Sequence, residues 1–114
     1  MPTRKLDKSQ WRTALDRISK TLEGKAAEIE VASLSLGDQV QAEWLPLLGI
    51  TYDPEDDLVE VALEDLDHLI EHPREIYVEE DAGGVTALEI VTADEVKQIV
   101  KLKEPLLLPA PARG

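Results

Sequence analysis

The chain has 114 residues, 43% of them hydrophobic, with no cysteine, no phenylalanine and a formal net charge of −12. That length suits one domain around one core, and the absence of cysteine excludes disulfides, thiolate zinc sites, iron–sulfur clusters and Cys nucleophiles. Charge is uneven: residues 1–25 carry seven Lys/Arg against three Asp/Glu, whereas 26–114 carry five against 21, so the body repels phosphate backbones and anionic membranes.

Asp7 and Gln10 have the spacing of a capping box, and Leu6 and Trp11 that of a hydrophobic staple. Trp11, Ala14, Leu15, Ile18 and Leu22 recur at helical spacing, and Gly24 is a natural stop. An amphipathic helix is predicted over 8–23, with Lys8, Arg12, Asp16 and Lys20 on its polar face.

Strand sequence follows. Ile29 and Val31 alternate with Glu28 and Glu30, while Leu34 and Leu36 fall out of phase, which suggests a bulge near Ala32–Ser33. Gly37-Asp38 marks a turn, and Val40, Ala42 and Trp44 form the returning strand until Pro46 breaks it or places it at an edge. Leu48, Ile50 and Tyr52 resume the period of two. Asp53–Asp57 is a turn, and Val59, Val61 and Leu63 line one face of the next strand. Leu66, Leu69 and Ile70 have helical spacing, so a two-turn helix is expected from Glu64 to His72, stopped by Pro73. Ile76 and Val78 alternate with Glu75, Tyr77 and Glu79; Asp81–Gly84 is a hairpin turn, and Val85–Val91 is its partner strand. Thr92 and Glu95 suggest a second capping box and a short helix, although Gln98–Leu102 also suits a strand. Residues 105–114 read as an extended Pro/Leu-rich tail. The whole reads as a single α+β domain over 1–114, an N-terminal helix packed on a mainly antiparallel sheet of about five to six strands.

One pattern suggests catalysis. His68-Leu69-Ile70-Glu71-His72 matches the H-x-x-E-H arrangement of inverted zincins, in which histidines one helical turn apart hold zinc and the Glu deprotonates its water. These are the two histidines of the chain, and the expected helix is short, so His68, Glu71 and His72 stand as weak metal candidates beside a surface role. Asp53, Glu55, Asp56 and Asp57 crowd one turn but lack the spacing of a calcium loop. No phosphate loop, dinucleotide fingerprint or nucleophile elbow is found, and no cofactor is implied.

Two phrases carry a resemblance. Tyr52-Asp53-Pro54-Glu55-Asp56-Asp57-Leu58-Val59-Glu60-Val61 and Ile76-Tyr77-Val78-Glu79-Glu80-Asp81-Ala82-Gly83-Gly84 resemble a family of tiny bacterial domains of unknown function. Ala87-Leu88-Glu89-Ile90 stands where that family has Gly-Ile-Glu-Ile. Some of its members are suspected of toxin–antitoxin roles. The full chain, from Arg4-Lys5-Leu6-Asp7 through Trp44-Leu45-Pro46 to Pro105-Leu106-Leu107-Leu108-Pro109, resembles a second uncharacterised bacterial family of this length. The resemblance implies a compact β-rich fold and transfers no functional residue. The expectation is a cytoplasmic binding or regulatory protein with an acidic surface and a protein partner, without direct contact to nucleic acid or membrane. Exposed edges and the tail would allow a homodimer. The alternatives are a metal-dependent hydrolase built on His68, Glu71 and His72, and an acidic mimic of nucleic acid.

Overall fold

The computed structural model describes residues 3–22, 24–33, 37–82 and 84–103. The strands are β1 (Thr3–Lys5), β2 (Ala26–Ser33), β3 (Gly37–Asp53), β4 (Leu58–Leu63), β5 (Leu66–Glu71), β6 (Pro73–Asp81), β7 (Gly84–Thr92) and β8 (Lys97–Lys103). A 3-10 turn at Lys8–Gln10 leads into helix α1 (Trp11–Leu22). All the strands join one sheet in the order β1-β6-β7-β8-β2-β3-β4-β5, every neighbour antiparallel. Among the described residues the fold is therefore mainly β, an eight-stranded antiparallel sheet with one α-helix, so the expected α+β class fits only loosely and the expected five to six strands are corrected to eight.

Two strands, β5 and β8, come from segments with helical spacing, and β1 comes from residues to which the sequence reading gives no element, while the two stretches expected around Pro46 merge into β3. Leu66–Glu71 forms β5, paired residue for residue with β4 from Leu58↔Glu71 to Leu63↔Leu66. Asp65 turns the chain with φ 67, and Leu66 and Leu69 remain exposed, so the apparent helical stripe is not a buried one. Thr92 and Glu95 shape a turn and no helix. The Thr92 hydroxyl donates to the Asp94 carboxylate and accepts from the Val96 N–H, while the Thr92 N–H reaches the Val96 carbonyl at 3.0 Å. Glu95 has φ 66, and β8 then pairs on both sides, with β7 and β2.

The N-terminal helix forms over nearly the expected span, with a different cap. The Asp7 side chain makes no capping bond; its carbonyl accepts from the Gln10 N–H at 2.8 Å, giving the 3-10 turn. Leu6 is already committed to the sheet, its N–H bonded to Ile76 O at 2.8 Å, and the Trp11 indole N–H donates back to Leu6 O at 3.3 Å. Trp11, Leu15, Ile18 and Leu22 then bury against the sheet with Ile29, Ile50, Val59, Val61, Ile76, Val78, Leu88, Ile90 and Val100.

The helix packs chiefly on β3. Trp11 meets Tyr52 edge to face, ring centres 5.2 Å apart, and Ser19 Oγ accepts the Ile50 N–H at 3.0 Å. Gly49 permits that approach, because a Cβ there would lie 3.1 Å from Ser19 Oγ.

Pro46 does not end β3. The strand pairs with β2 up to Pro46 and with β4 from Leu47, so the proline marks a change of partner. A bulge beside it leaves Leu48 exposed at 56% and out of phase with buried Ile50 and Tyr52. The bulge expected near Ala32–Ser33 is absent; register shifts fall between Ala27 and Glu30. Leu34 and Leu36, Gly83 and the tail 105–114 lie outside the described residues. The sheet coils so strongly that His68 on edge strand β5 reaches Gln98 on β8, four places away in the order.

Candidate functional site

The H-x-x-E-H residues do not converge. On a strand, four residues span about 13 Å, so His68 and His72 are far apart instead of one helical turn apart. His68 turns inward and its Nε2 lies 2.6 Å from Gln98 Oε1. Glu71 is exposed. His72 occupies the left-handed corner before β6, φ 55, with Nδ1 3.5 Å from Asp57 Oδ2. Among the described residues no three His, Asp or Glu side chains gather to hold a metal ion.

The acidic turn at Asp53–Asp57 serves as a fastening. The Tyr52 hydroxyl donates to Asp57 Oδ1 at 2.8 Å, the Asp57 carbonyl accepts the His72 N–H at 2.9 Å, and the His72 carbonyl accepts the Ala93 N–H at 2.9 Å. Three turns are thereby tied at one end of the sheet. The Tyr52 hydroxyl is pushed up to about 12, first by burial and then by its bond to Asp57 and the charges of Asp57 and Asp53. Asp57 is held below its ordinary value, chiefly by the donated Tyr52 hydroxyl. Beside this turn a cleft of about 540 Å³ is lined by Arg12, Asp16, Tyr52, Asp53 and Glu55. Its charges are of both signs, with Pro54 and the mostly buried Tyr52 ring as its apolar members.

The opposite, outer face of the sheet differs. Of the four aromatic side chains, Trp11 and Tyr52 belong to the core, and Trp44 and Tyr77 line a cleft of about 510 Å³ on this outer face. Register explains its floor. One row across β1, β6, β7, β8, β2 and β3 reads Lys5, Tyr77, Glu89, Ile99, Glu30, Val40. The adjoining row reads Thr3, Glu79, Ala87, Lys101, Glu28. Tyr77, Ala87 and Ile99 are the apolar floor, and Glu79, Glu89 and Lys101 are its rim.

Trp44 reaches this face through a backbone irregularity. Ala27 pairs with Leu45 and Ile29 with Ala42, so two β3 residues oppose Glu28 alone. Such bulges re-aim a side chain. Trp44 takes φ 51, a conformation that costs a bulky residue on the order of 1 kcal/mol. Its indole then lies over the end of β8, with Lys103 Nζ 3.9 Å from the ring centre. Lys101 is held by Glu30 at 3.1 Å and Glu28 at 3.8 Å, and Lys97 by Glu89 at 3.2 Å. Glu79 has no ion-pair partner among the described residues.

Sequence alternation placed Tyr77 opposite Ile76 and Val78, which is where it lies. Trp44 was missed, because the simple period groups Val40, Ala42 and Trp44 on one face, whereas register shifts on either side of Ala42 leave Val40 and Trp44 on the outer face and Ala42 opposite buried Ile29. The cue was a large aromatic two residues before a strand proline, a place where the ladder must break. Among the described residues no helix is long and apolar enough to cross a membrane.

The whole-chain resemblance has a counterpart among known sequences. An uncharacterized protein of Aquifex aeolicus (strain VF5) is 42% identical over 110 residues, covering 96% of this chain and 99% of the relative. No solved structure matches. Residues 2–111 match the model of a family of unknown function, DUF5335, and the chain belongs to that family.

Proposed function

We propose that this protein is a binding module whose outer sheet face, at Trp44 and Tyr77, takes an extended apolar segment of a protein partner carrying positive charge. One observation carries the reading: a bulge holds Trp44 in an unfavourable conformation whose effect is to present the indole beside a second aromatic over a carboxylate-edged cleft. Backbone outliers of this kind persist where the surrounding structure enforces them, and they cluster at ligand contacts. Two aromatics and an isoleucine suit proline- or leucine-rich chain, as in grooves that accept polyproline II segments. Glu79 selects a cation on the ligand, and the net charge of −12 steers it inward. A cysteine-free acidic chain fits a reducing, cytoplasmic setting.

The test is an amide and indole chemical-shift titration of the full chain. The probe is a short synthetic peptide of alternating proline and leucine ending in arginine. The reading expects shifts at the Trp44 indole and on β6, β7 and β8 that weaken as salt rises and vanish in Trp44→Ala. Shifts confined to Arg12 and Asp53–Glu55, or none at saturating peptide, refute it.

A further inference from the structure

We infer that the groove between α1 and the β6–β7 hairpin, on the face of the sheet opposite Trp44, is a small-molecule site for an aliphatic carboxylate. The helix leans on β3 by one flank, where Trp11 meets Tyr52 and Ser19 meets Ile50. Its other flank carries Ala14, Arg17, Ile18 and Thr21, a stripe at helical spacing. That flank borders a cleft of about 430 Å³, within the ordinary range for small-ligand sites. Leu6 and Ile18, 5% and 8% exposed, are core residues that form its floor.

Register builds the wall that faces the helix. Ala87 pairs with Glu79 and Val85 with Glu80, so Thr86 is an extra residue in β7. Strict alternation from Ala87 would send Val85 to the outer face. Instead Thr86 and Ala87 both line the outer cleft, and the bulge returns Val85 to the helix side, the kind of re-aiming found beside binding sites. Charge sits at the mouth. The inner row Leu88, Val78, Arg4 ends in a cation on edge strand β1, and Glu80 holds that guanidinium at 3.2 Å. Arg17 has no ion-pair partner among the described residues, in a chain with 24 Asp/Glu to 12 Lys/Arg. Arg4, Arg17 and Glu80 together leave one positive charge to be met, which suits a monoanion, since a second negative charge would face Glu80. The planar guanidinium fork matches the two oxygens of a carboxylate. The Thr21 hydroxyl already donates to the Ile18 carbonyl at 2.9 Å, so Arg17 is left to read the anion. Leu6, Ala14, Ile18 and Val85 then cover the hydrocarbon. The net charge of −12 does not oppose this, because distant charges are screened beyond about 10 Å at 0.1 M salt.

The test is a chemical-shift titration of the full chain with butanoate, hexanoate and octanoate, with octanol as the uncharged control. Shifts are expected at the Arg17 side-chain N–H and at the methyls of Leu6, Ile18 and Val85. Affinity should rise about fourfold for each added methylene, the ratio that ~0.8 kcal/mol per buried CH₂ gives. Arg17→Gln exchanges two good helix formers at an exposed position. It should leave the urea midpoint unchanged, weaken octanoate by about tenfold or more, and leave octanol binding as it was. Octanoate affinity unmoved by Arg17→Gln overturns the inference. So does equal weakening of octanoate and octanol, which would make Arg17 a structural residue. Affinity that does not rise with chain length, or shifts confined to the Trp44 face, overturns it as well.

Discussion

Asp57 is the residue on which one end of the molecule is fastened. Its carboxylate accepts from Tyr52, its backbone from His72, and its φ of 51 is a conformation Asp tolerates better than most residues. Because Asp57 is held below its ordinary 3.8, the folded chain takes up its proton less readily than the unfolded chain. The stabilisation is complete above about pH 4 and fades as pH falls through the depressed folded value. Urea midpoints of the unaltered chain and Asp57→Asn should therefore differ at pH 7 and converge toward pH 3. Tyr52 has the opposite sign. Its hydroxyl, raised from 10.0 to about 12, favours the folded state below pH 10, and that contribution disappears as pH rises through 12. Absorbance titration should show a tyrosine ionising near pH 12 that Tyr52→Phe removes. The same substitution should cost about 1 kcal/mol, the usual worth of one such hydrogen bond.

At the scale of elements, the contact between α1 and β3 is decided by Gly49. An added Cβ would press on Ser19 Oγ, at 3.1 Å, and shift the helix that supplies Trp11 and Leu15 to the core. Gly49→Ala gains about 0.4–1 kcal/mol through the unfolded chain and loses about 1–3 kcal/mol to overpacking. The sum should be a loss, read as a lower urea midpoint, and the additional Ser19→Ala exchange should recover little, because it leaves the Ile50 N–H without its acceptor. The elements also show what sequence could carry. Helix α1 was legible because its apolar stripe is long and all of it is buried. Strands β6 and β7 were legible through strict alternation and the glycine turn. Strand β5 was not, because Leu66 and Leu69 are apolar yet exposed on an edge strand, where they imitate a helical stripe. Strand β8 was obscured by Thr92, whose hydroxyl closes a turn with the same spacing as a helix cap. The cleft was half legible: alternation put Tyr77 outside, but only the pairing of Ala27 with Leu45 and Ile29 with Ala42 reveals the bulge that turns Trp44 outward.

For the molecule as a whole, the two faces of the sheet have different tasks. The inner face and α1 hold a dry aliphatic core in which Trp11 and Tyr52 are the aromatic members. The outer face carries alternating carboxylates and lysines, and the other two aromatics gather there in one place. Since Trp44 is not part of the core, its replacement should separate stability from binding. Glycine accepts φ 51 freely, which returns about 1 kcal/mol of backbone strain. That offsets the lost contact with Lys103, worth about 0.5–1 kcal/mol at an exposed site. By contrast, Trp11→Ala should cost about 3–5 kcal/mol. The decisive measurement is therefore the urea midpoint and the affinity for the arginine-tipped proline–leucine peptide, both recorded on full-length Trp44→Gly. A midpoint close to that of the unaltered chain together with abolished peptide binding is the predicted result. A midpoint that drops as far as that of Trp11→Ala, with peptide affinity intact, would make Trp44 a structural residue and contradict the account.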